Sequence, residues 1–205
     1  MIAETLKTAS RPQHESAESS TFITALMRGA LDLEAYKRYL INLAWLYEAL
    51  ESKVAQGDPF SSTEPLWDAR LNRLISIKQD LESLGVSNWK ATTKPTNAMA
   101  SYIAHLGQLN GKSDLRLVAH HYTRYLGDLS GGQAISALVA RHYGATPEQL
   151  TFYRFNEIDD LVRYKETYRA NLDSLVISQA QLEALVNEVK KAFEFNQRVF
   201  EDLAS

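Results

Sequence analysis

The sequence contains no cysteine, which removes disulfide bridges, thiolate-ligated zinc, iron–sulfur clusters and a thiolate nucleophile together. Metal chemistry is left to histidine, carboxylate and tyrosine, and five histidines compete for it. Long apolar runs are missing too. None approaches the roughly 20 residues that cross a bilayer, and the first residues lack a basic-then-apolar secretion signal, so the chain is expected in the cytoplasm with no membrane contact. No excess of one charge exists either: 22 Lys and Arg against 25 Asp and Glu are interleaved, so no basic patch invites a phosphate backbone. Nucleic acid is not an expected partner. Period-two alternation and clustered β-branched residues are nearly absent, which argues against strands.

What is present reads as helix. From Leu33 the apolar positions Tyr36, Leu40, Leu43, Tyr47 and Leu50 recur at three- and four-residue steps, after the capping residue Asp32 and before Gly57. The same pattern marks Leu71, Leu74, Leu81 and Leu84 ahead of Gly85, and Met99, Tyr102, Ile103 and Leu106 with Gly111 as the stop. Ser178 and Gln181 form a capping box, flanked by Ile177 and Leu182 as a hydrophobic staple, before the stripe Leu182, Leu185, Val189, Phe193, Asn196, Phe200, Leu203. Pro59 to Pro65 reads as an interhelical loop, and Pro95 and Pro147 precede helix starts. At 205 residues and 45% hydrophobic content, with no internal repeat, the chain suits one all-α helical bundle over residues 1–205.

One stretch departs from this pattern. Between Lys112 and Tyr143 the helical reading is interrupted by Gly127, Gly131 and Gly132, with Asp128 among them. Each interior glycine costs a helix roughly 0.5–1 kcal/mol relative to alanine, so the group implies a bend and the close approach of something flat. A planar cofactor fits that description. Asn196 is a second departure, an amide on an apolar stripe that needs a bonded partner.

The string Arg124-Tyr125-Leu126-Gly127-Asp128-Leu129-Ser130-Gly131-Gly132-Gln133 closely resembles the distal-helix motif of haem oxygenases. Gln13-His14-Glu15-Ser16-Ala17-Glu18 resembles the segment carrying that family's proximal haem ligand; Tyr164-Lys165-Glu166-Thr167-Tyr168-Arg169 and Phe193-Glu194-Phe195-Asn196 are weaker matches in the family's order. The resemblance covers nearly the whole chain, and the tail is similar to the soluble bacterial members.

The resemblance implies haem b sandwiched between a proximal amino-terminal helix and a kinked, glycine-rich distal helix. From the residues alone His14, His105, His120, His121 and His142 are all candidate ligands; the family pattern selects His14, with Glu18 setting its orientation and basicity. Lys7, two helical turns before His14, is placed on the same face for a haem propionate. Gly127 and Gly131 bring backbone to the porphyrin, and Ser130 and Phe193 belong to the same pocket. Asp128 organises a water network that delivers protons on the distal side, extended by Tyr47, Arg124 and Asn196. Lys7, Tyr122, Lys165 and Arg169 match propionate contacts.

The implied activity is a haem-degrading monooxygenase that uses dioxygen and external electrons to yield biliverdin, by preference the IXα isomer, with carbon monoxide and ferrous iron, and that serves haem breakdown and iron acquisition. Nothing here resembles a dinucleotide or flavin fold, so a ferredoxin or flavoprotein reductase is the expected electron donor. The expected state is a monomer. A haem carrier or sensor using the same pocket is the alternative, and a helical hydrolase or interaction module without haem is a further one.

Overall fold

The computed structural model describes residues 1–56 and 61–205. Its helices are α1 (Ile2–Ala9), α2 (Arg11–Glu18), α3 (Thr21–Met27), α4 (Leu33–Val54), α5 (Leu74–Ser83), α6 (Trp89–Thr92), α7 (Asn97–Gly107), α8 (Leu115–Asp128), α9 (Gly131–Tyr143), α10 (Leu161–Asp173) and α11 (Gln179–Ala204), joined by short 3-10 turns. No strand occurs among the described residues, in keeping with the all-α expectation.

α4 and α11 form the axis of the bundle. Asp32 caps α4 by accepting from the Ala35 amide at 2.8 Å, and Tyr36, Leu40, Leu43, Tyr47 and Leu50 are buried along one face. Each such side chain stabilises the fold by about 1.5–3 kcal/mol relative to exposure. α11 begins at the expected capping box, in which the Gln181 amide donates to Ser178 Oγ at 3.2 Å and the Ser178 amide to Gln181 Oε1 at 2.8 Å. Its stripe packs against α8, α7, α2 and α3, while α4 packs against α5, α7 and α8.

Several boundaries differ from the sequence expectation. Leu71 ends a 3-10 turn (Ala69–Leu71) before α5 starts at Leu74. α7 stops at Gly107, and Gly111 serves instead the positive-φ start of the next 3-10 turn. Pro147 lies inside a 3-10 turn (Pro147–Gln149) and introduces no α-helix. Lys7 and His14 occupy two helices, because the chain breaks at Ser10 and Pro12, which has no amide hydrogen, falls in the first turn of α2. Gly57 and the first part of the Pro59 to Pro65 loop lie outside the described residues; from Ser61 onward the loop leads into a 3-10 turn at Glu64–Leu66.

Buried charge ties the periphery to the axis. The Arg73 guanidinium donates to the carbonyls of Leu71, Arg70 and Arg154 at 2.8, 3.0 and 2.6 Å. The Asp80 carboxylate accepts from the Thr151 and Phe152 amides at 2.8 and 2.9 Å. Together they fasten the 147–155 segment across α5.

His121 is buried with Nδ1 2.8 Å from the Tyr168 hydroxyl, and burial pushes its imidazole down to about 3. Its folded pKa lies below the ordinary histidine value near 6.5, so the unfolded chain binds the extra proton between those limits and stability rises with pH across that window. Urea unfolding at pH 7 and pH 5 should show His121→Gln losing about 2 kcal/mol less than the parent over that interval. Equal losses in both proteins would contradict a neutral, buried His121.

Candidate functional site

The distal helix runs from α8 into α9 and breaks at Leu129 and Ser130, between the two outer glycines of the motif. The break has a tether: Lys165 Nζ donates to Ser130 Oγ at 3.3 Å and to the Leu129 carbonyl at 3.5 Å. At Gly127 and Gly131 an added β-carbon would meet nothing within 4 Å, so both glycines face open space. Gly132 differs. A β-carbon there would sit 3.1 Å from the Tyr153 ring, so this glycine admits the 147–155 segment held by Arg73 and Asp80.

The open space is a pocket of about 380 Å³, within the range of small-molecule sites. His14 lines it from α2, Gly127, Ser130 and Gly131 from the distal helix, and Phe193, Asn196 and Phe200 from α11. Ile23, Leu126 and Ile135 add apolar surface, while Lys7 and Arg169 place cations on the lining. A larger groove of about 610 Å³ lies over α10, lined by Asp68, Asp159, Asp160, Arg163 and Tyr164. It is polar and has no histidine, so the smaller pocket is the one of the two that offers an imidazole.

His14 is half exposed, with Nδ1 3.4 Å from Glu18 Oε2 one turn along α2, and its ring meets the Phe193 ring edge-on at 5.4 Å. A proton on Nδ1, facing the carboxylate, leaves Nε2 as a free electron-pair donor. Beside the distal helix, four polar side chains from three helices meet. Arg124 Nη2 donates to Asp128 Oδ1 at 3.0 Å and Nη1 donates to Asn196 Oδ1 at 3.0 Å. The Tyr47 hydroxyl donates to Asp128 Oδ2, and the Asn196 amide donates to the Ala192 carbonyl at 2.6 Å. All four are buried.

Burial pushes the Asp128 carboxyl above the usual carboxylate range, against the pull of Arg124 and the Tyr47 hydrogen bond. Burial likewise raises the Tyr47 phenol far above its ordinary value. Arg124 keeps its charge, because the negative potential of its neighbours outweighs the cost of burying it. The result is a fixed cation beside a carboxyl that can exchange a proton.

Lys7, His14, Glu18, Arg124, Gly127, Asp128, Ser130, Gly131, Arg169, Phe193 and Asn196 share the lining, and Tyr47 joins from behind through Asp128. Two expected contacts stand off it. Lys165 is engaged with the helix break, and Tyr122 sits half-buried in the field of Arg169 and Glu4, outside the lining. Tyr39, Thr123 and Tyr153 line the pocket without having been anticipated. Thr123 was accessible to helical arithmetic, four residues before Gly127 and eight before Gly131; Tyr153 was not, since only the long-range clamp on its segment brings it there.

A flat, iron-bearing macrocycle with two carboxylates fits this set: an imidazole from α2, side-chain-free backbone from the distal helix, apolar surface, and the cations Lys7 and Arg169 in addition to the buried Arg124. The comparisons agree. The heme oxygenase family model matches residues 1–202. A heme oxygenase of Guillardia theta is 32% identical over 203 residues, 98% of this chain and 86% of that protein. Heme oxygenase-1 of the cyanobacterium Synechocystis, solved in complex with heme, superposes with a TM-score of 0.93 at 33% identity, covering 98% of this chain and 91% of that one. The heme oxygenase of Leptospira interrogans gives 0.90 at 30% identity, covering 97% and 98%.

Because the Gly127 β-carbon direction is open, Gly127→Leu should fold normally and gain up to about 1 kcal/mol of helix stability. Haem titration should nevertheless show binding weakened at least about tenfold, as the new side chain enters the slot. Unchanged haem affinity would mean that this space is not where the macrocycle lies.

Proposed function

The chain belongs to the haem oxygenase family, and from that premise we propose how its own residues open haem as a haem-degrading monooxygenase. Bound haem supplies both the iron that activates dioxygen and the macrocycle that is cleaved, giving biliverdin, carbon monoxide and ferrous iron. The observation that carries the assignment of roles is that His14 from α2 and Gly127 and Gly131 from the distal helix line one pocket.

His14 would hold the haem iron through its imidazole, with Glu18 facing Nδ1 to fix the ring. A neutral imidazole would be a weaker electron donor to a haem iron than a thiolate. Gly127 and Gly131 would let distal backbone approach the macrocycle, since neither puts a side chain into the pocket. Ile23, Leu126, Ile135, Phe193 and Phe200 exclude bulk water from the reacting face. Lys7 and Arg169 receive the propionates, guanidinium being suited to bidentate capture of a carboxylate.

Asp128 handles the proton. Its carboxyl, pushed up by burial, would take a proton from solvent through ordered water and pass it on to the distal face. Tyr47 is the hydrogen-bond donor that keeps Asp128 aimed, and Arg124 holds Asp128 to Asn196 so that the carboxyl cannot rotate away.

The finer reading completes the cycle. Electrons come from a ferredoxin or flavoprotein reductase, the chain acts as a cytoplasmic monomer, and the ring opens at the α position, a choice supported by the resemblance of the propionate-contact residues to those of α-selective members. No helix among the described residues is long and apolar enough to cross a membrane.

Reconstitution with haem, a reducing system and air tests the whole assignment. The Soret band should be lost and a bilin spectrum should replace it; a persistent Soret band would mark a carrier. Asp128→Asn keeps side-chain shape and a partner for Arg124 while removing the acid, so haem affinity should stay within about threefold and bilin yield should fall at least tenfold. Full bilin yield from this variant would refute the proton role. His14→Ala should abolish the imidazole signature in the ferric spin-state and resonance Raman spectra, and a parent-like spectrum would transfer the ligand role to another histidine.

A further inference from the structure

Away from the haem slot, α7, α8 and α11 bring His105, His120 and Glu188 together. His105 Nε2 hydrogen-bonds Glu188 Oε1, and His120 Nε2 lies 3.0 Å from the same oxygen. The three donor atoms all fall within 4.8 Å of one another, and none of the three residues lines the haem pocket. We propose that His105, His120 and Glu188 form a binding site for a divalent transition-metal ion of the zinc class.

Three lines of geometry and chemistry support the site. First, two imidazoles and one carboxylate are a familiar zinc donor set that leaves a fourth position for water. Around a tetrahedral ion with bonds of about 2.0–2.1 Å, neighbouring donors sit roughly 3.3 Å apart. The observed separations need only small rotamer adjustments to reach that spacing, and the donors stand on three packed helices that fix their directions.

Second, the ring behind the donor is already oriented. His120 Nδ1 lies 2.9 Å from the Tyr102 hydroxyl in a fully buried pair. That hydroxyl can donate to Nδ1 or accept from it. The tautomer with a free Nε2 electron pair therefore keeps its hydrogen bond, which is the outer contact that metal-ligating histidines usually have. Burial lowers the His120 pKa, so this imidazole is neutral near pH 7 as a ligand must be.

Third, the local charge is only partly compensated. Against the cost of burial, hydrogen bonds from His120 and His105 hold the Glu188 carboxyl down to about 2, so it stays ionised. The cation nearest its other oxygen, Lys191 Nζ, is 3.9 Å from Oε2 and half exposed, which leaves Oε1 to the imidazoles. A dication between the rings would neutralise that oxygen at close range. Access exists, since the side chains of His105 and Glu188 retain 13% and 9% of their exposure while that of His120 has none.

The test uses tag-free, chelator-treated full-length chain, with and without haem, titrated with ZnCl2 by calorimetry and with CoCl2 followed by visible absorption. One equivalent of Zn2+ should bind in the micromolar range or tighter in both forms, and Co2+ should give the intense d–d bands of a four- or five-coordinate site. His105→Ala, at the end of α7, and the near-isosteric Glu188→Gln should each weaken Zn2+ at least about 100-fold while circular dichroism stays helical. His14→Ala removes the other histidine–carboxylate pair, His14 and Glu18, and should leave Zn2+ affinity unchanged. Failure of the parent to bind one equivalent, full affinity in His105→Ala, or loss of binding in His14→Ala would each overturn the proposal.

Discussion

The buried pair of Arg124 and Asp128 is the interaction on which both fold and site depend. Two opposite charges one helical turn apart at the end of α8 would normally face water; here both are buried. Removing such a pair from water costs several kcal/mol per ion unless the remaining hydrogen-bonding capacity is met. Tyr47 from α4 and Asn196 from α11 meet it. The distal helix is thereby locked to both axial helices by the groups that set the protonation of Asp128. A cluster of this kind adds little net stability compared with apolar packing, but only one register of the three helices satisfies it. That selectivity is the property a proton-handling site needs.

The glycines of the distal motif act in the opposite sense, by withholding side chains. Where Gly132 lets the Tyr153 ring come so near that a β-carbon would be crowded at 3.1 Å, Gly127 and Gly131 have nothing within 4 Å of that position. Protein interiors rarely leave such space beside a helix break. The break is held by Lys165 at Ser130 and Leu129, not by the packing that would otherwise fill the gap. The slot is thus an uncollapsed region between a rigid polar cluster and a tethered bend.

How much of this was legible in the sequence depended on the range of the interaction. The Asp32 cap, the Ser178–Gln181 box, the apolar stripes and the bend near Gly127 are local, written within a few residues, and they occur where the pattern placed them. The apparent stop at Gly111 misled because a glycine in the left-handed region serves a 3-10 turn as readily as a helix end. Lys7 and His14 looked like one helical face, and the break at Ser10 was hidden because Pro12 is compatible with a helix start. The clamps of Arg73 and Asp80 on the 147–155 segment join residues more than 70 positions apart, and no periodicity announces such a pairing. Nor does it announce Glu188 between two histidines, or Tyr153 in the pocket wall.

α11 is where these threads meet. Glu188, Ala192 and Asn196 follow each other at four-residue steps, and Phe193 and Phe200 lie seven apart on a neighbouring ridge. The first ridge reaches His120 on α8 through Glu188, and one turn further along α8 it reaches Arg124 through Asn196. The second ridge presents Phe193 to His14 and Phe200 to the slot. A rotation of α11 by one residue, about 100°, would take the amide from Arg124, the carboxylate from both imidazoles and the ring from the proximal histidine at once. The start of this helix is set by the capping box at Ser178, and its axial position by pairing with α8. The alignment of the residues lining the slot therefore depends on how the carboxy-terminal helix is seated, and α2, which carries His14, packs directly against it.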